Sequence, residues 1–191
     1  MEKEEYDVAV NVPAGATKPQ FRAMLQRFLA DRFRLKLRIE SKEFTGYALV
    51  VAKSGLKLKA SGSSTPPETP AGFPALPPGA PSLMTVNNRD SSGYILVRMT
   101  ARQQPISELA SIARTWNPDN EPVVDQTGLT GKYDFFLEHA MEWPGVSASG
   151  LPPAPSLSTA LREQLGLELV RKKLAFPYAI VEGVSLTPSD N

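Results

Sequence analysis

The chain contains no cysteine, which removes disulfides, thiol nucleophiles and every Cys-containing zinc or iron–sulfur site. Histidine occurs once, too rarely for an imidazole-based metal cluster. Net charge is nearly absent too. Lys and Arg number 21 against 20 Asp and Glu, so no bulk field steers the chain toward nucleic acid or an anionic surface. No run approaches the roughly 20 apolar residues of a spanning helix, and residues 1–5 (MEKEE) carry no apolar region of signal-peptide type. What is present is ordinary for a soluble globular protein: 41% hydrophobic and 21% charged residues in 191, room for one large domain or two small ones.

Residues 6–12 alternate Val8, Val10 and Val12 with small or polar residues, the period of a half-buried strand. A helix follows: Thr17 and Gln20 have capping-box spacing, Pro19 lies in the first turn, and Phe21, Met24, Leu25, Phe28, Leu29 and Phe33 recur at helical intervals. Leu35, Leu37 and Ile39 alternate with Lys36, Arg38 and Glu40 as a strand with one wet face, and residues 47–52 (YALVVA) read as a second strand. From 60 to 82 prolines such as Pro66, Pro67, Pro70, Pro74, Pro77, Pro78 and Pro81 intervene. Each removes a backbone donor and fixes φ, which predicts a semi-rigid extended linker.

Beyond it, residues 93–100 (GYILVRMT) predict a strand, and Ile106, Leu109, Ala110, Ile112 and Ala113 a helix entered through Pro105. A short strand at 122–124 leads into the turn-rich DQTGLTG, followed by a strand at 132–138. After a loop at 144–155, Ser156 caps a helix carrying Leu157, Ala160, Leu161 and Leu165, which Gly166 ends. Residues 167–170 and 178–184 close the chain as a strand pair.

Two sets of residues repeat in order. Tyr6-Asp7-Val8, a helix, Leu35-x-Leu37 and Tyr47-Ala48-Leu49-Val50 return as Tyr133-Asp134-Phe135, a helix, Leu167-x-Leu169 and Tyr178-Ala179-Ile180-Val181. Leu29, Phe33, Leu35 and Leu37 match Leu161, Leu165, Leu167 and Leu169 without a gap, as a duplicated unit requires. The expectation is an α+β protein of two related strand–helix–strand–strand units, with three main helices on mainly antiparallel sheets. The first unit spans 1–59, a linker 60–92, and the second unit 93–187 with an internal loop at 144–155. The second copy is preceded by a strand and helix that the first lacks, so an equivalent strand and helix are expected ahead of Tyr6 in the native gene product.

In the motifs MLQRFLADRFRLKLRIESKEFTGYALVVAKSGLKLK, PVVDQTGLTGKYDFFLE and PSLSTALREQLGLELV, the chain resembles a family of uncharacterised soil-associated proteins abundant in acidobacteria. The resemblance covers most of the chain outside the linkers and implies no catalytic residues. It implies an extracytoplasmic setting, since members look exported and related domains occur beside BlaR-type metallopeptidase sensors. The element order from 93 to 184 also resembles the short N-terminal domain of secretins and TonB-dependent receptors, an analogy of fold alone.

Individual residues offer little chemistry. Asp125-Gln126-Thr127-Gly128 resembles the Asp-Thr-Gly turn of retroviral-type aspartic proteases, but Gln126 breaks the motif and no second copy supplies the partner carboxylate; the residues read as a tight turn in which Asp125 accepts backbone hydrogen bonds. Glu138, the one histidine His139, and Glu142 suggest a metal or acid–base site, yet neighbours in a strand point to opposite faces, and a solvated strand end is expected. Trp116 and Trp143, beside prolines at element ends, read as core lids, with binding anchors as the alternative, and the basic runs 32–38 and 171–173 as charged outer strand faces.

The expected function is that of a non-enzymatic, exported interaction or sensor-associated domain, in which sheet edges or the groove between repeats engage a partner protein or cell-envelope component. No cofactor, nucleic acid or integral membrane segment is expected. The competing reading is a small-ligand binder or hydrolase with its site around 125–133. The candidate ligand or partner residues are Asp125, Thr127, Lys132, Asp134 and Trp143.

Overall fold

In the computed structural model, which describes residues 5–62, 68–79, 81–116, 121–141, 145–147 and 150–189, helix α1 (Lys18–Phe33) begins where local chemistry starts it. The Thr17 hydroxyl accepts from the Gln20 N–H (3.4 Å) and the Gln20 side-chain oxygen accepts from the Thr17 N–H (2.8 Å), the reciprocal capping box. The chain continues as β1 (Lys36–Val51), β2 (Lys59–Ala60), β3 (Ser82–Arg89), β4 (Ile95–Gln104), α2 (Ile106–Trp116), β5 (Val123–Asp125), β6 (Tyr133–Met141), α3 (Leu157–Ala160) running into a π-helical turn (Leu161–Leu165), and β7 (Leu167–Gly183). The class is α+β as expected. A mixed three-stranded sheet has the order β5-β1-β7, and an antiparallel four-stranded sheet the order β2-β6-β4-β3.

Two compact units emerge, Met1–Glu43 with Ala175–Asn191, and Phe44–Leu174; they are unit 1 and unit 2 below. Both β1 and β7 contribute one stretch to each.

Unit 2 holds the core. The odd-numbered residues Ile95, Val97 and Met99 of β4 and Tyr133, Phe135 and Leu137 of β6 face a buried cluster shared with α2 (Ile106, Leu109, Ala110, Ala113, Trp116) and with Leu157, Leu161, Leu165 and Leu167. Each fully buried leucine there stabilises the fold by about 2 kcal/mol. On the opposite face, Tyr94, Leu96 and Ala140 pack with Val146, Leu151 and Ala154. Gly166 ends the π-helical turn in the left-handed region (φ 68°) as the sequence predicts, and the turn after β1 packs directly on it. The Lys57 N–H donates to the Leu165 carbonyl (3.0 Å) and the Ala52 N–H to the Gly166 carbonyl (2.9 Å).

The structure differs from the sequence reading at several points. Residues 6–12, read as a strand, pair with no strand of the described residues and carry no regular secondary structure. The strands read separately at 35–39 and 47–52 are one strand, and so are 167–170 and 178–184. Pro177 stands inside β7, which ends its sheet, and edge strands are where proline is found within sheets. Residues 82–89, read as linker, form β3 and pair with β4 along their whole length. Part of the proline-rich stretch is packed. Pro74 is buried, Phe73 meets Phe136 edge-on at 5.5 Å and lies under Arg98, and the Pro77 carbonyl accepts from Arg102 (3.1 Å). The apolar stripe of α1 stays partly open to solvent at Phe21, Met24 and Leu25, which are 38, 40 and 37% exposed.

Candidate functional site

The candidate residues from the sequence separate into distinct local hydrogen-bond sets. Asp125 closes a turn: its Oδ1 accepts from the Thr127 N–H (2.9 Å) and hydroxyl (2.7 Å), and the Thr127 oxygen accepts from the Leu129 N–H (3.1 Å). Gly128 supplies the positive φ this turn needs (71°). Asp134 locks the β4–β6 ladder where β4 bulges between Ala101 and Gln104. Its Oδ1 accepts from the N–H of Gln103, itself at φ 51°, and from the Ser61 hydroxyl (2.7 and 2.8 Å). Lys132 is exposed, and its carbonyl accepts from the Ser61 N–H (2.8 Å). Trp143 and Glu142 lie outside the described residues.

His139 is fully buried, which corrects the solvated strand end expected for it. Its parity on β6 turns it toward Trp116, with ring centroids 4.6 Å apart. Nδ1 lies 3.0 Å from the Ala140 carbonyl, and Nε2 has no hydrogen-bond partner among the described residues. Burial pushes its pKa below the ordinary histidine value, and the Ala140 carbonyl opposes that shift. Trp116 is buried as the lid reading expects. Among the described residues no three His, Asp or Glu side chains are placed to hold a metal ion. The run 171–173 lies on β7, but the run 32–38 is only partly on a strand: Arg32 sits in the last turn of α1 and Arg34 caps it. Arg38 of β1 pairs with Glu182 (2.7 Å) and Glu40, and Arg171 forks onto Glu121 (2.5 and 3.1 Å).

Sheet edges are the feature with binding potential, and the four-stranded sheet treats its two edges differently. On the β6 side the edge is closed piecewise. β2 pairs opposite Tyr133 and Asp134, and the Pro155 carbonyl accepts from the Ala140 N–H (2.8 Å). Between them the Gln164 side-chain amide acts as a surrogate strand, accepting from the Glu138 N–H (3.0 Å) and donating to the Glu138 carbonyl (2.8 Å). A groove of about 430 Å³ remains there, lined by Lys57, Lys59, Asp134, Phe136 and Gln164. On the other side, β3 ends the sheet: its eight residues pair with β4 and with no further strand among those described. Leu83 packs against the core while Met84 and Val86 are exposed. Charged side chains, lysine above all, and prolines are the usual guards of an edge; the strand itself (SLMTVNNR) has no lysine or proline, and its one charge is Arg89 at its last position.

The sequence reasoning missed β3 and Gln164. The Leu-Met-Thr-Val run directly after Pro81 carries a β signal that proline density hid. Nothing local marks Gln164, whose role depends on β6 lying beside the π-helical turn.

Comparison with curated proteins and with solved structures gives no match. A family model does match, over residues 1–184. The chain therefore belongs to the family described as Protein of unknown function (DUF3738).

Proposed function

We propose that this chain is a non-enzymatic interaction domain working in the cell envelope, which binds an extended segment of a partner protein by adding it as a further strand beside β3. The observation that carries the reading is the unequal treatment of the two edges of one sheet: β6 is sealed by three separate devices, while β3 presents an unguarded edge with Met84 and Val86 beside it. Main-chain hydrogen bonds supply affinity in strand addition, and alternate side chains supply selectivity. An interaction role, rather than hydrolysis, is favoured because Asp125, Thr127 and Asp134 are engaged in holding a turn and a bulge. The exported, sensor-associated setting follows the family resemblance of the motifs in 24–59, 122–138 and 155–170.

The test replaces Met84 and Val86 by Lys together, which guards the edge while leaving the core face of β3 intact. A cell-envelope protein retained by the unmodified chain and lost with the folded Met84→Lys/Val86→Lys variant supports the reading. Equal retention by both, or by neither, contradicts it.

A further inference from the structure

The two copies of the repeat share geometry as well as pattern. Each helix ends on a left-handed residue whose N–H bonds to the carbonyl five residues back: Arg34 (φ 49°) to Leu29, and Gly166 (φ 68°) to Leu161. Arg34 aligns with Gly166, and Leu29 with Leu161. The last helical carbonyl accepts in each case from a segment following a long strand, Phe33 from the Ser185 N–H (2.6 Å) and Leu165 from the Lys57 N–H (3.0 Å). The two accepting residues, Phe33 and Leu165, are aligned, and each helix leads into a long strand, β1 or β7.

What differs is the cover. Aligning Tyr6-Asp7-Val8 with Tyr133-Asp134-Phe135 sets Tyr6, Val8, Val10 and Val12 against Tyr133, Phe135, Leu137 and His139. The first four are 46, 50, 47 and 43% exposed, and the second four 8, 4, 0 and 0%. In unit 2 the cover comes from β4 and α2, which contribute nine of the eighteen buried residues of the core cluster. β5 completes it by pairing parallel with β1 at Ala48 and Leu49, both inaccessible. The matching residues of β7, Ala179 and Ile180, are exposed and half-buried on a strand that ends its sheet.

We propose that this open face of unit 1 is a docking surface for a polypeptide segment of strand–helix–strand type, patterned like residues 93–125. Its first strand pairs with 7–12, and its amphipathic helix covers the apolar groove of about 280 Å³ formed by Val10, Val12, Phe21, Met24, Leu25 and Phe28. Its second strand adds to β7 at 179–180. The segment enters on the N-terminal side of Tyr6, as 93–125 enters ahead of Tyr133. The occupant is polypeptide rather than lipid because an acyl chain covers apolar side chains but leaves the backbone N–H and C=O groups of an extended segment without partners. This surface is separate from the β3 edge, so the two readings stand or fall independently.

The test is amide hydrogen exchange on a chain carrying a second copy of residues 93–132 ahead of Tyr6. The amides of 7–12 should slow roughly tenfold or more relative to the unmodified chain, and Val10→Asp in the same fusion should return them to the unmodified rate. Unchanged exchange at 7–12 while β6 stays protected overturns the proposal, as does slowing that survives Val10→Asp. If the fusion unfolds unit 2, a peptide of residues 93–125 added to the unmodified chain gives the same readout. Slowing at 7–12 that is lost with Leu109→Asp in the peptide supports the proposal, and no slowing overturns it.

Discussion

The imidazole of His139 packs tilted against the indole of Trp116, with ring centroids 4.6 Å apart and planes inclined by 56°. This places the chain's single histidine inside the core of unit 2 as a neutral group. Its folded pKa lies below its unfolded value, so the unfolded state takes up the proton first. The stability associated with a neutral His139 is therefore complete above about pH 6.5, the unfolded value, and declines as the pH falls from there toward the folded pKa. Urea unfolding across this range should show a midpoint that drops on acidification, and His139→Leu should flatten the drop. A slope unchanged by the substitution would show that other groups set it.

Gly166 has no room for a side chain. A Cβ there would lie 2.2 Å from the Gly55 carbonyl oxygen and 2.7 Å from the Lys57 nitrogen, both backbone atoms, in a left-handed conformation that itself disfavours L side chains. Gly166→Ala should cost about 3 kcal/mol or more, strain and overpacking combined. Gly183 has nothing within 4 Å of its Cβ position, and Gly183→Ala should stay within about 0.5 kcal/mol of the parent. Chemical denaturation of the two variants side by side decides this; similar losses in both would refute the close-approach argument.

Gln164 both donates to and accepts from the Glu138 backbone. Gln164→Leu removes both bonds and leaves a part-buried N–H and C=O without partners, a cost of about 2 kcal/mol. An ionised glutamate can only accept, so Gln164→Glu keeps the bond from the Glu138 N–H and loses the other. Its destabilisation at neutral pH should fall between parent and Gln164→Leu, as read from unfolding midpoints.

Where local chemistry decides, the structure follows the sequence. The Thr17–Gln20 box, the Ser156 cap and Gly166 all lie where their side chains or torsional freedom are needed. The Asp125 turn has the same origin. Features that depend on distant partners were hidden. Residues 82–89 become a strand through β4, and His139 is dry because α2 brings Trp116 over it. The apolar stripe of α1 is only partly covered: Phe28, Leu29 and Phe33 are half-buried, and Phe21, Met24 and Leu25 are exposed. Helical spacing specifies a face to be covered, not the element that covers it. Of the candidate site, the turn was legible and the open edge was not, because an edge is defined by which strand lacks a neighbour.

Strand addition at β3 is tested most directly by placing a photo-crosslinking amino acid at Val86 and, as a control, at the exposed loop residue Thr130, then irradiating cells of the native host that express the chain. The account predicts one discrete protein adduct from position 86, mapping to an extended segment of the partner, and none from position 130. No adduct at 86, or the same adducts from both positions, would contradict it.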